Sequence, residues 1–350
     1  DVTLGVANQS GPRGGQAITL ENWEMLMASR KLGPGFVDLR FMSSLEPFTM
    51  PPGGMPQLLQ TGETFRGKPL VDRQHPHELF MEVAARYSFQ PVPWAELFVY
   101  GGPVGEPALG PPAYIHRPSA EDNRWAPLSH HLQDATHMAM GVGTAGLRLR
   151  DFQVEGSLFN GREPDENRTD IEFKPWDSYS VRLSYAPGDN LVFQLSSGYL
   201  TSPEALDPGD ILRTTASLQL AGRLGGRMVT GMASWGQNQG KAGHPARTLQ
   251  SYLLEGTAEL GWMLKTYSRA EVVDKDTLDL AGVHDHTVHR VSAVTLGLVR
   301  ELGDFETFGL ALGADATFNI LDEPATRVYG LNPLGFRAYV RLGPPARHMM

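Results

Sequence analysis

Residues 72–89 read DRQHPHELFMEVAARYSF. The stretch begins as a polar, histidine-bearing loop and changes character at Glu78. From there Glu78, Phe80, Glu82, Ala84, Arg86 and Ser88 fall on one side, and Leu79, Met81, Val83, Ala85, Tyr87 and Phe89 on the other. A period of two is that of a β-strand whose faces meet different surroundings. Here one face is wholly apolar and the other holds two carboxylates and a guanidinium.

The alternation recurs. In 36–45, FVDLRFMSSL, Val37, Leu39, Phe41 and Leu45 oppose Asp38 and Arg40. In 176–186, Tyr179, Val181, Leu183 and Tyr185 oppose Ser178, Ser180, Arg182 and Ser184. In 305–320, Phe308, Leu310, Leu312, Ala314, Ala316 and Phe318 oppose Thr307, Gly309, Gly313, Asp315, Thr317 and Asn319. About sixteen strands follow, near 2–9, 17–29, 35–45, 78–90, 93–101, 134–148, 151–160, 176–187, 190–200, 210–221, 225–236, 247–260, 262–273, 286–300, 305–320 and 335–342.

The connections alternate in length. Tight ones fall at KLGPG (31–35), QPVP (90–93), RDF (150–152), PGDN (187–190), AGRLGG (221–226), LGW (260–262) and ELGD (301–304). Long ones lie between them, near 10–16, 46–77, 102–133, 161–175, 201–209, 237–246, 274–285 and 321–334. An up-and-down barrel sorts its connections in this way, with short turns at one rim and long loops at the other. A β-sandwich or propeller would bury the apolar face against a second sheet and has no reason to segregate loop length. The expectation is therefore an all-β fold: one transmembrane antiparallel up-and-down β-barrel over residues 1–350. It would have about 16 strands, short periplasmic turns and long extracellular loops, the longest near 46–77 and 102–133. Closure satisfies every backbone group, so a polar sequence can cross a bilayer. The apolar faces would meet outer-membrane lipid, and Trp94, Tyr100, Trp176, Tyr199, Trp235, Trp262 and Tyr339 suit interfacial girdles.

Composition agrees. The 350 residues are 41% hydrophobic and 20% charged, with 39 Gly and 26 Pro, which is a folded chain rich in turns. A mean hydropathy of −0.26 fits strands of which half face a polar lumen. No run of 18 apolar residues exists to make a spanning helix. With no cysteine, disulfides, thiolate metal sites and Cys nucleophiles are absent. A net charge of −9 without a basic stretch argues against nucleic acid as a partner. Envelope proteins or further copies of the chain remain the other partners to consider. The chain starts at Asp1, which reads as a processed or incomplete N-terminus.

Inward positions of the expected barrel carry both signs: Asp38, Arg40, Glu82, Arg86, Glu155, Arg182, Arg213, Glu255, Glu259, Lys265, Arg269 and Arg337. Such a lining serves a conducting pore. It also serves a salt-bridged interior that conducts nothing. The Pro- and Gly-rich loops at 46–77 and 102–133 are the segments to fold inward as a plug or constriction.

Histidines gather at the long-loop end, in HPHE (75–78), HHLQDATH (130–137) and HDHTVH (284–289). Imidazole with carboxylate suits Zn or Cu, so His75, His77, Glu78, His130, His131, Asp134, His284 and His286 are the metal-ligand set. Neighbouring Met50, Met55, Met138 and Met140 would add Cu(I) affinity. The loop 159–173, FNGREPDENRTDIEF, offers oxygens for Ca, or charges that pair with one another over the rim. Ser129, His130 or His131, and Asp134 contain the side chains of a hydrolase triad, yet no G-x-S-x-G occurs, and the chain reads as a non-enzyme.

At TGETFRGKPLVDRQHPHELFMEVAARY (61–87), APLSHHLQDATHMAMGVGTAG (126–146), LFNGREPDENRTD (158–170) and GYLTSPEAL (198–206), the chain resembles an uncharacterised Gram-negative outer-membrane β-barrel family, porin-like. The resemblance implies a barrel in the bacterial outer membrane and brings no site residues. Two functions are open at this point. One is a porin-like channel for small polar solutes or metal ions. The other is a surface-exposed barrel that binds a metal or a partner and has an occluded lumen.

Overall fold

The computed structural model describes residues 1–276, 279–280 and 287–344. Their strands form one antiparallel sheet of 17 strands, rolled into a nearly closed barrel, and a separate two-stranded hairpin. Consecutive passages are neighbours in the wall. The first and last strands, Val2–Gln9 and Leu334–Gly343, pair from Val2↔Leu342 to Gln9↔Gly335. The sheet holds 17 strands rather than 16 because the passage 15–32 breaks at Trp23. Gly15–Asn22 pairs with Val2–Gln9, whereas Glu24–Leu32 pairs with Gly35–Ser43 on its other edge. The Asn22 side chain accepts from Leu45 N at 2.7 Å, and Ser44 Oγ donates to Asn22 O at 2.6 Å, so the edge left at the break is covered by the start of helix Glu46–Thr49.

The short rim is made of tight turns. Ile211–Leu224 and Arg227–Gly240 are joined by Gly225 and Gly226 alone, at φ 59° and 81°. Two successive positive φ values give the twist a two-residue hairpin needs, and glycine takes them without strain. Along Thr248–Gly261 the inward Leu253, Glu255 and Thr257 are buried while Tyr252 and Leu254 face out, Leu254 being 62% exposed. The same alternation leaves Val181, Leu183, Leu296, Leu298, Leu4 and Val6 on the outer surface, the apolar band a bilayer requires.

Four expectations are corrected. The strand expected over 134–148 starts only at Val142, because 134–141 belongs to a segment inside the lumen, with a 3-10 turn at Ala135–Met138. Met81 is not on the lipid face. Met42 pairs with Glu82 and Ser43 with Phe80, so Met81 is the extra residue of a bulge and turns inward with Glu82. Tyr100 and Tyr339 also point inward rather than joining a girdle, Tyr100 Oη donating to Glu82 Oε1 at 2.7 Å and Tyr339 Oη to Asp122 O at 3.1 Å. Finally, the loop expected over 46–77 contains regular structure, the helix Glu46–Thr49 and a hairpin of Met55–Phe65 with Lys68–Gln74.

Candidate functional site

Segment 105–141 leaves the wall after Ala95–Val104 and returns at Val142–Leu149, the next strand. Its two ends are clamped by a bridge in which Gly105 N donates to Ala139 O at 3.1 Å and Ala139 N to Gly105 O at 3.0 Å. Between them the segment fills a large part of the lumen. Arg117 is the hinge of its ion pairs: Nη1 donates to Asp134 Oδ2 and Nε to Glu255 Oε1, both at 2.8 Å. Glu255 Oε2 accepts from Arg269 Nε at 2.9 Å, and Arg269 Nη1 donates to Trp125 O at 2.7 Å. Farther round, Arg341 Nη1 donates to Asp122 Oδ1 at 2.6 Å and Trp125 Nε1 to Glu21 Oε1 at 2.8 Å. Arg213 Nη2 donates to His131 O at 2.6 Å. The wall has glycine where the plug presses hardest: a Cβ on Gly236 would lie 2.3 Å from Leu132 O.

Above this plug the hairpin 55–74 closes the same half. Gln60 Nε2 donates to Ala126 O and Pro127 O at 3.0 Å. Leu58, Leu59, Leu128, Leu132, Val273, Val291, Ala293, Ala325 and Tyr329 form an apolar core inside the barrel mouth. Burying these surfaces together excludes water from that side.

The other half is hollow. A cavity of about 430 Å³ lies between the plug and the wall, lined by Arg40, Glu82, Arg86, Tyr100, Glu106, His116, His137, Arg148, Glu155, Arg182 and Gln194 among others. Arg148 is exposed beside the 150–151 turn, so the cavity reaches the short-turn rim. Arg182 links Glu155 at 3.0 Å and Glu106 at 3.6 Å, and Arg86 pairs with Glu96 at 2.5 Å. Burial raises the Glu106 carboxyl to about 7; Arg182 opposes this and Glu82, Asp134 and Glu155 add to it.

The expected lumen residues thus divide. Arg40, Glu82, Arg86, Glu155 and Arg182 face the cavity. Arg213, Glu255, Arg269 and Arg337 are buried against the plug. Asp38 stands opposite Arg86 in the ladder, Glu259 Oε2 accepts from Met228 N at 2.8 Å, and Lys265 Nζ lies 3.3 Å from Glu121 and 3.7 Å from Glu301.

The expected metal set also divides. His75, His77 and His130, with His137 and Tyr114, line a void of about 10 Å³ within the plug, room for a single water or ion. His77 Nδ1 donates to Glu46 Oε2 at 2.8 Å, and its Nε2 lies 2.8 Å from Tyr114 Oη. His130 Nδ1 donates to Asp134 Oδ1 at 2.8 Å, and His137 Nδ1 to Asp134 O at 3.0 Å. Burial lowers the pKa of both imidazoles; at His130 the Asp134 carboxylate opposes it, and His137, next to His130, goes well below the usual value. Glu78 is held by Arg168 at 2.5 Å, and Asp134 by Arg117. His284 and His286 lie outside the described residues. Met138 packs with Met42 and Met81 beside the void, whereas Met50 and Met55 pack on Ala7 and Trp125. Ser129 Oγ donates to Glu271 Oε1 at 3.0 Å, away from either histidine. In the 159–173 loop, Arg162 pairs with Asp177 and Glu166 accepts from Arg66 N.

His131 turns the opposite way from His130. It joins Glu163 and Glu204 at the base of a second cavity of about 190 Å³ under the long loops. Its Nδ1 lies 2.9 Å from Glu163 Oε1 and 3.3 Å from Glu204 Oε1. Burial disfavours the imidazolium, but the two carboxylates outweigh it and hold the His131 pKa well above its usual value. Burial and the neighbouring Glu204 raise Glu163. Asp165, Asp207, Asp276 and Asp279 add carboxylates to this cavity against Arg162, Lys174 and Arg247. Glu163 stands in the charged loop and Glu204 in GYLTSPEAL, but nothing in either stretch associates them with His131.

Solved structures share this architecture. OmpF of Salmonella typhi in complex with daunomycin is 11% identical, with 98% of this chain and 97% of that one covered and a TM-score of 0.58. A loop L8 deletion mutant of OmpT, an outer-membrane protein of Vibrio cholerae, is 8% identical, covers 97% and 96%, and has a TM-score of 0.53. An anion-selective porin from Comamonas acidovorans is 12% identical over 97% and 98%, with a TM-score of 0.51. At such identities the likeness is one of fold: the chain folds as an antiparallel β-barrel like those of porins. No protein-family model matches the chain, and no curated protein matches it by sequence.

Proposed function

We propose that the protein is a constricted outer-membrane channel for small ions and small polar solutes, with its route confined to the hollow half. The cavity of about 430 Å³ carries this reading, because it reaches the short-turn rim and keeps arginines and carboxylates interspersed along its wall. Small hydrated ions can exchange their shells for such groups, while larger solutes are stopped by the plug. The upper end of the route meets His116 and His137, so any passage to the long-loop side requires side chains of the plug to move. One observation favours the alternative of an occluded barrel that captures a metal or partner: the plug joins both walls and encloses its imidazoles.

Single-channel recording of the purified protein in a planar bilayer separates the two. Small stable steps in KCl are the expected result. A silent bilayer, with insertion verified by protection from protease, overturns the channel and leaves capture at the surface.

A further inference from the structure

We infer that His131, Glu163 and Glu204 form a binding site for a divalent transition-metal ion below the long loops, from which the ion is passed inward through His130 and His137. The site stands on its own geometry; the inward passage rests on the channel reading.

Three separate segments supply the ligands: the plug, the loop after Phe152–Phe159, and the loop after Leu191–Leu200. One ligand atom from each lies within 4.8 Å of the other two. Donors bound at about 2.0–2.2 Å to one ion stand roughly 3–3.5 Å apart, so a closure on the order of an ångström completes the set. One imidazole and two carboxylates suit Zn²⁺, Mn²⁺ or Fe²⁺, and the remaining positions open on the outer cavity, where water would fill them.

An ordinary ion pair would leave this cluster poorly satisfied. Two carboxylates share a single imidazole N–H, and like charges so placed call for a doubly charged partner. Glu163 Oε2 and His131 Nε2 are both buried without a hydrogen-bond partner, and His131 is only 8% exposed. Arg213, the nearby cation, donates to His131 O and Asn238 Oδ1 and keeps its Nη1 buried without a partner, so it attracts both carboxylates at longer range without hydrogen-bonding either.

The next ligands are already oriented. The His130 ring is 5.6 Å from that of His131, and the His137 ring 5.1 Å from that of His130. Asp134 accepts from Nδ1 of both, through its carboxylate and its carbonyl, the support that fixes a metal-binding imidazole with Nε2 as ligand. His137 Nε2 is buried without a partner, and His137 lines both the void and the inner cavity. Three imidazoles in contact therefore span the plug from one cavity to the other, and passage between neighbouring weak sites is how a narrow filter conducts.

The test uses the tag-free protein in detergent micelles and Zn²⁺ in competition with a chromophoric chelator. One Zn²⁺ per chain is expected. Glu163→Gln with Glu204→Gln, and separately His131→Gln, should each weaken it by at least about 100-fold. Unchanged affinity in either folded variant overturns the site. In vesicles loaded with a zinc-sensitive dye, His137→Ala should slow Zn²⁺ entry at least about tenfold, and an unchanged rate overturns the inward passage. KCl conductance of the same samples reports the channel reading separately. Conduction without Zn²⁺ binding removes the metal site alone; Zn²⁺ binding in a silent barrel removes the channel alone.

Discussion

Arg269 and Arg86 hold equivalent places, inward on wall strands, yet their surroundings differ. The side chain of Arg269 is 3% exposed and ties Glu255 to the plug backbone, whereas that of Arg86 is 19% exposed and pairs with Glu96 beside open space. The same contrast separates the two halves of the barrel. In one, wall charges serve as seats for segment 105–141; in the other they remain a charged lining. Whether an inward arginine is structural or faces a route is therefore decided by where the plug lies and not by the strand that carries it.

The sharpest way to break this comparison is Arg117→Ala. Asp134 and Glu255 would be left buried and without their shared cation, at a cost of about 3–5 kcal/mol. The expected readout is a lowered urea midpoint in lipid vesicles together with a larger conductance as the plug loosens. A midpoint unchanged from wild type would show that the filled half is not held by these pairs. Next in size is an effect of pH on the hollow half. Glu106 titrates near 7, so lowering pH from 8 to 6 removes a negative charge while Arg40, Arg86, Arg148 and Arg182 stay cationic. Burial lowers His116 instead, and Arg40 adds to this, so His116 charges only at more acid pH. The reversal potential in a KCl gradient should move toward anions on acidification, and Glu106→Gln should remove that movement. Since the raised pKa favours the protonated fold, stability should rise slightly over the same interval. The smallest effect is that of Arg86→Ala, at most about 1 kcal/mol for a partly solvated pair, seen as a shift toward cations with a nearly unchanged urea midpoint.

Much of the barrel was legible in sequence because its wall is a one-dimensional pattern: alternation sets each strand's faces, and Gly225–Gly226 or Gly33 mark its turns. Met81 escaped because a bulge breaks the period locally. Segment 134–141 escaped because it runs directly into the wall strand that begins at Val142, and its residues DATHMAM, buried on nearly every side, carry no turn signal to mark where the plug ends. The site was half legible. The spacing of HHLQDATH does place His130 and His137 on one void through Asp134, but adjacent His130 and His131 point to different cavities. Glu163 and Glu204 meet His131 only through the fold, and no local pattern carries that.

The route of segment 105–141 also has a consequence for how the molecule is made. It leaves and re-enters between strands that are adjacent, but its anchors come from the far end of the chain: Arg341 lies 219 residues from Asp122, and Arg269 lies 144 residues from Trp125. Glu255 and Arg269 can pair with each other, and Arg341 with Glu301, as the wall forms. Their bonds to Arg117, Trp125 and Asp122 wait for that segment, and the segment has no settled course until those strands exist. The later strands must therefore gather around it as around a mould, and the seam between Val2–Gln9 and Leu334–Gly343 would close last. Contacts this distant make assembly slow, and the unfinished sheet exposes unpaired edges and bare charges for as long as it waits.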